Sequence, residues 1–245
     1  MNRNIAILAT AALCSIIMSE NASAADILYS HPQDILYSRQ PVAFWSGFYG
    51  GLNVGYGWAQ WSADVSDVTA GTSGSGSTNV DGVIGGVQFG YNQQLGNFVF
   101  GVETDIQASG QRHSENWIVG GTVLTGTANQ DWFGTARLRA GAMIGNGLLY
   151  ATGGATYGDY RLSATATGAL VGSASIKWTR AGWVVGGGYE ARLNREWSAK
   201  LEYLYLRTDW SDTQTIGADT FNANLRSANN VVRLGVNYKL SDYYH

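Results

Sequence analysis

Three histidines are the only ready general bases this sequence offers near neutral pH, and their positions decide whether a catalytic reading can start. His31 lies in an N-terminal stretch that holds both prolines, His113 in a polar connection, and His245 at the end of the chain. None falls where residues alternate as in a strand, so none sits on an element rigid enough to build a site. No Ser-His-carboxylate set, metal-ligand spacing or phosphate-cradling loop accompanies them. The groups Gly85-Gly86, Gly153-Gly154 and Gly186-Gly187-Gly188 lack the following helix that a nucleotide fingerprint needs, and fit close backbone packing instead. No enzyme activity, cofactor or metal is expected.

The remaining candidates are ionised residues spaced two apart: Glu103 and Asp105, Arg137 and Arg139, Glu190 and Arg192, Lys200 and Glu202, with Arg233 alone. In a strand, residues i and i+2 share a face. Each pair therefore projects the same way from its own strand. Charges of both signs at mid-strand suit either a solvated surface or an enclosed network in which carboxylates and cations pair. Enclosed and unpaired, each would cost several kcal/mol. Counted from the short turns, Glu103 and Asp105 rise as far as Arg139 and Arg137 respectively. A lumen packing network is the expected role, with a polar constriction for small solutes as the alternative.

The strands that would hold these residues follow from the stretch Trp45 to Trp61. Its even positions are Phe48, Gly50, Leu52, Val54, Tyr56 and Trp58; the odd ones are Tyr49, Gly51, Asn53, Gly55, Gly57 and Ala59. One face is apolar with aromatic rings at both ends, as a membrane-spanning strand requires, because Tyr and Trp settle at the lipid–water interfaces. The same alternation marks eight strands: 45–61, 82–94, 98–108, 130–143, 148–160, 179–193, 197–209 and 229–240. Short turns join them near Leu95-Gly96-Asn97, Gly145-Asn146-Gly147 and Asn194-Arg195-Glu196. Four long polar segments, 62–81, 109–129, 161–178 and 210–228, join the other ends. Strict long–short alternation predicts an all-β, eight-stranded antiparallel up-and-down transmembrane β-barrel, with short periplasmic turns and long extracellular loops. An exported soluble barrel with its apolar face inside is the competing fold, since period two does not distinguish inside from outside.

Composition agrees with short strands. Of 245 residues only 13% are charged, against 33 Gly, 9 Trp and 14 Tyr. A net charge of −3 argues against nucleic acid as a partner. Arg3, the apolar run Ile5 to Met18 and Ala22-Ser23-Ala24 read as a secretory signal peptide over 1–24, cleaved after Ala24. It would carry away Cys14, the sole cysteine, leaving no disulfide. Residues 25–44 repeat DILYS from Asp26 and from Asp34 and read as a periplasmic linker. The barrel occupies 45–240, and 241–245 form a short tail.

The blocks WSGFYGGLNVGYGW at 45–58, GVETDIQASG at 101–110, DWFGTARLRAG at 131–141 and LLYATGGATYG at 148–158 resemble the small outer-membrane β-barrel surface proteins of alphaproteobacteria, a porin-family, OmpA-like group. WSAKLEYLYLRT at 197–208 and NNVVRLGVNYKL at 229–240 continue the resemblance. It implies a Gram-negative outer-membrane location, a surface-antigen and envelope-integrity role, and contact with outer-membrane lipid, lipopolysaccharide and the barrel-assembly machinery. A homo-oligomer is left open. The family's usual terminal aromatic is displaced, since Ser-Asp-Tyr-Tyr-His follows Leu240. Haemin-binding members also make His113 the candidate axial ligand of a haem-binding alternative. A narrow small-solute channel is the third functional reading, although eight strands enclose a lumen that side chains just fill.

Overall fold

The computed structural model describes residues 44–67, 71–119, 122–168, 171–216 and 219–240. The expected signal peptide over 1–24, the expected linker as far as residue 43, the tail 241–245, His31 and His245 lie outside the described residues. Eight antiparallel strands follow in chain order: β1 (Gly47–Asp67), β2 (Thr72–Leu95), β3 (Phe98–Val119), β4 (Thr122–Ile144), β5 (Gly147–Gly168), β6 (Gly172–Arg192), β7 (Trp197–Ile216) and β8 (Asp219–Lys239). Each pairs with its sequence neighbours, and β1 pairs with β8 from Tyr49↔Lys239 upward, so the sheet closes on itself.

Three tight turns close one end. Gly96 and Gly145 both take a φ of 61°, a left-handed value that glycine adopts without cost in a hairpin. The third turn is fixed by a side chain: Asn194 Oδ1 accepts from the backbone N–H of Glu196 at 2.9 Å and of Trp197 at 2.8 Å.

Large apolar side chains point away from the barrel. Leu52, Val83, Leu138 and Leu234 are each more than 60% exposed, while Glu103, Arg137, Lys200 and Arg233 on the opposite face are at most 4% exposed. That inside-out distribution is wrong for a soluble barrel and right for one standing in lipid. The exposed band is edged by rings, with Phe48, Phe98 and Trp197 near the turns and Tyr56, Trp58, Tyr157, Trp183 and Tyr203 farther up.

The strands are longer than alternation indicates. Most of the four long polar segments continues the ladder, so strands of 20 to 24 residues replace the expected long loops. At about 3.3 Å per residue and a tilt of about 40°, such strands rise about 50 Å or more, roughly twice the apolar band of an outer-membrane barrel. The upper halves carry Ser, Thr, Gly and Asn on both faces, because water wets both; no apolar face remains to mark the period.

Above the band the barrel divides. Pairing continues to Asp67↔Thr72 between β1 and β2, to Asp67↔Phe221 between β1 and β8, and to Ile216↔Asp219 between β7 and β8. It also continues to Val119↔Thr122, Thr122↔Gly168 and Ala166↔Gly172 across β3 to β6. Among the described residues, β2–β3 pairing ends at Asp81↔Arg112 and β6–β7 pairing at Trp183↔Arg207. Two four-stranded flaps therefore stand on the closed barrel, β7-β8-β1-β2 facing β3-β4-β5-β6. Register shifts at Ala108/Gln111 and Asn129/Phe133 lie near the level where one flap begins.

Candidate functional site

The inward charges meet in one neutral network, Glu103, Asp105, Glu190 and Glu202 against Arg137, Arg139, Lys200 and Arg233, all buried. Alternation points every one of them into the lumen, and small neighbours make room; a Cβ on Gly90 would strike the Tyr49 ring that lies across it. Arg137 contacts Glu103, and reaches Glu202 at 2.9 Å and Asp105 at 3.0 Å. Lys200 Nζ lies 2.9 Å from both Glu103 oxygens. Arg233 bridges Glu202 at 2.6 Å and Asp105 at 3.1 Å. Arg139 holds Glu190 at 2.7 Å and lies 3.5 Å from Glu103.

Glu103 and Arg137 are direct partners in the ladder, whereas counting from the turns levels Glu103 with Arg139. The offset of two residues arises because tilted strands place ladder partners at different heights along the barrel axis. Arg192 stands apart from this network. It ends β6 at the mouth closed by the short turns, where its guanidinium carbon lies 3.9 Å from the centre of the Phe44 ring.

Neutral residues join the network that charge spacing does not mark. Tyr49 donates to Glu103 at 2.7 Å and accepts from Arg139 at 2.8 Å; Tyr150 donates to Glu202 at 3.0 Å and lies under the Arg139 guanidinium, 4.1 Å away. An amide chain runs from Asn53 to Gln88 to Asn237 and on to Glu190, with steps of 2.7, 2.6 and 2.7 Å. Inward parity was the available signal: Asn53 lies four residues from Tyr49 and Asn237 four from Arg233, while Gln88 lies between the outward Val87 and Phe89 and Tyr150 between the outward Leu149 and Ala151.

Apolar groups fill the lumen beyond the charges. Ile84, Phe133, Val184, Leu204, Leu206 and Val231 form one buried layer. Next comes an amide set in which Asn229 reaches Gln111 at 3.1 Å and Gln130 at 3.3 Å. A second apolar layer holds Ala59, Trp61, Val80, Ala128 and Tyr160. Beyond the charge network the interior thus alternates polar and apolar layers.

On the second apolar layer opens a cavity of about 300 Å³ between the two flaps, lined among others by Trp61, Thr78, His113, Tyr160, Trp210 and Leu225. His113 belongs to β3 rather than to a loop, and its Nε2 lies 3.0 Å from Glu115 Oε1. Among the described residues, no cluster of three or more His, Cys, Asp or Glu side chains is arranged to hold a metal.

A closed sheet of this pattern, apolar outside and ion-paired inside, is matched over residues 10–239 by the family model described as "Outer membrane protein beta-barrel domain". The chain belongs to the outer-membrane protein β-barrel family. It is similar to the 31 kDa outer-membrane immunogenic protein of Brucella melitensis, 38% identical over 91% of this chain and 95% of the relative. It is also similar to the 22 kDa outer membrane protein of Rhizobium leguminosarum bv. viciae, 30% identical over 82% of this chain and 80% of the relative. Among solved structures, OprG from Pseudomonas aeruginosa is 16% identical over 80% of this chain and 98% of its own, with a TM-score of 0.49. The protein is an alphaproteobacterial type of small outer-membrane barrel, located in the outer membrane.

Proposed function

We propose that this protein is a non-enzymatic structural barrel of the cell envelope whose upper strands present a surface antigen. The filled lumen carries this reading: the neutral ion network, capped by the layer from Ile84 to Val231, leaves no continuous polar path for a solute. Names given to its relatives, outer-membrane immunogenic proteins, support the antigen half. Cations stand on the outer surface above the upper aromatic ring, where lipopolysaccharide phosphates would meet them. Arg161 and Lys177 are direct ladder partners there, and Arg207 sits beside Trp183. Purified protein reconstituted in planar bilayers is expected to show no stepwise conductance. Reproducible single-channel steps, altered by Arg137→Ala, would establish the narrow-channel reading in its place.

A haemin-binding reading has one observation in its favour: the His113 ring stands at the wall of an aromatic cavity. Its Nε2 faces a carboxylate, so coordination would have to displace Glu115. Haemin titration followed by its Soret absorbance is expected to match that of an unrelated barrel, with or without His113→Ala. Specific binding abolished by that substitution would establish the haem reading.

A further inference from the structure

We infer that the cleft between the two flaps is a binding site for a small neutral aromatic molecule that carries a hydrogen-bond acceptor. The inference stands on the cavity itself and holds whether or not the envelope role is correct.

The floor of the cleft is aromatic: Trp61 and Tyr160 meet edge to face, their ring centres 5.5 Å apart, with Ala128 beside them. Trp210 and Leu225, on the flap that also carries Trp61, form a wall across the seam from Tyr160 and Ala128. A volume of about 300 Å³ is at the small end of the range for ligand pockets, which suits a single ring with a short substituent. An apolar, ring-lined cavity of that size selects flat carbon frameworks, which stack on or edge against its rings.

The polar atoms specify the substituent. Trp61 is 9% exposed, yet its indole N–H has no acceptor among the described residues, and the Thr78 hydroxyl, also on the cavity wall, is likewise unpartnered. A buried indole normally finds a partner, and leaving a buried donor unmet is costly. A ligand carbonyl or ether oxygen would accept from Trp61 Nε1. Charge gives no preference for an ion: Glu115 and Arg226 put one charge of each sign on the lining, and Glu115 is already engaged by His113. The seams between the flaps, where β2–β3 and β6–β7 pairing stops, leave the site reachable from outside.

Acetophenone, with ethylbenzene as the near-isostere lacking the acceptor, tests this on the whole protein in nanodiscs, with empty nanodiscs as the partition control. The indole N–H resonances are followed by NMR, and Trp61→Phe identifies the relevant one. Acetophenone is expected to move the Trp61 resonance saturably and to bind about tenfold more tightly than ethylbenzene, as one added hydrogen bond to a buried donor implies. Trp61→Phe should erase that tenfold preference while changing ethylbenzene affinity less than twofold. Ala128→Phe should fill the floor and abolish binding of both, with the heat-dependent gel shift of a closed barrel retained as the check on folding. Binding no greater than in empty nanodiscs would overturn the proposal, as would an acetophenone preference that survives Trp61→Phe, or haemin as the only ligand that shifts the resonance.

Discussion

At the residue scale the lumen is a problem of compensation. Each ionised group is buried, so its free energy depends on the partner that remains when another is removed. Arg139→Ala strips Glu190 of its 2.7 Å partner, and Ser198 and Asn237 remain as neutral donors. A buried carboxylate left in that state costs roughly 3 kcal/mol or more. Glu103 keeps Arg137 and Lys200 after the same change, because its contact with Arg139 is the longer one. A urea titration of folding into lipid vesicles should therefore show strong rescue of Arg139→Ala by Glu190→Gln and weak rescue by Glu103→Gln. Equal rescue by the two would mean that Arg139 is shared evenly. The charged members were legible in the sequence through their spacing of two. Their partners were not, because the ladder offset that pairs Glu103 with Arg137 is a property of strand tilt, which no local pattern records. Trp61 and Tyr160 escaped for a different reason: an inward aromatic reads like an interfacial one when the strand is taken to end beside it.

At the element scale the molecule has two regimes along each strand. The lower half is specified by a lipid-facing apolar row, which fixes register, since a slip of one residue would turn that row inward. The upper half has water on both sides and is held by its hydrogen-bond ladder and by scattered pairs such as Arg161–Asp131 at 3.0 Å and Lys177–Asp159 at 2.8 Å. This is why the strand cores were legible and their upper ends read as loops. The two regimes should separate experimentally. His113 and Ala128 are ladder partners on β3 and β4, so replacing residues 114–127 by Asn-Gly closes the hairpin at that pair and leaves the register below unchanged. The shortened protein is expected to retain the gel shift between unheated and boiled samples, because the closed ladder below Asp81↔Arg112 is intact. Identical migration of the two samples would show that the flap is needed for closure. The same shortening removes Glu115, and with it one wall of the cleft.

At the scale of the whole molecule, the fold is defined by which side of the sheet is apolar, and its position along the axis by where the apolar row stops. Period two predicts an apolar face without saying whether it turns inward. The exposed Leu52, Val83, Leu138 and Leu234, set against buried Arg137, Lys200 and Arg233, resolve that choice. They also predict how the cost of a surface charge varies with height. Leu138 stands in the middle of the lipid-facing row of β4, while Ile118, similarly exposed, is on β3 twenty residues above the first residue, Phe98, of that strand. At about 3.3 Å per residue that separation carries Ile118 well beyond a band about 25 Å tall. Leu138→Arg is therefore expected to lower the free energy of folding into vesicles by about 2–4 kcal/mol, the cost of a guanidinium near the bilayer midplane. Ile118→Arg should change it by no more than about 0.5 kcal/mol, as for an ordinary wet surface. Equal effects at the two sites would contradict a lipid boundary between them. A large effect at Ile118 alone would place the membrane around the flaps and open the seams of the cleft to lipid.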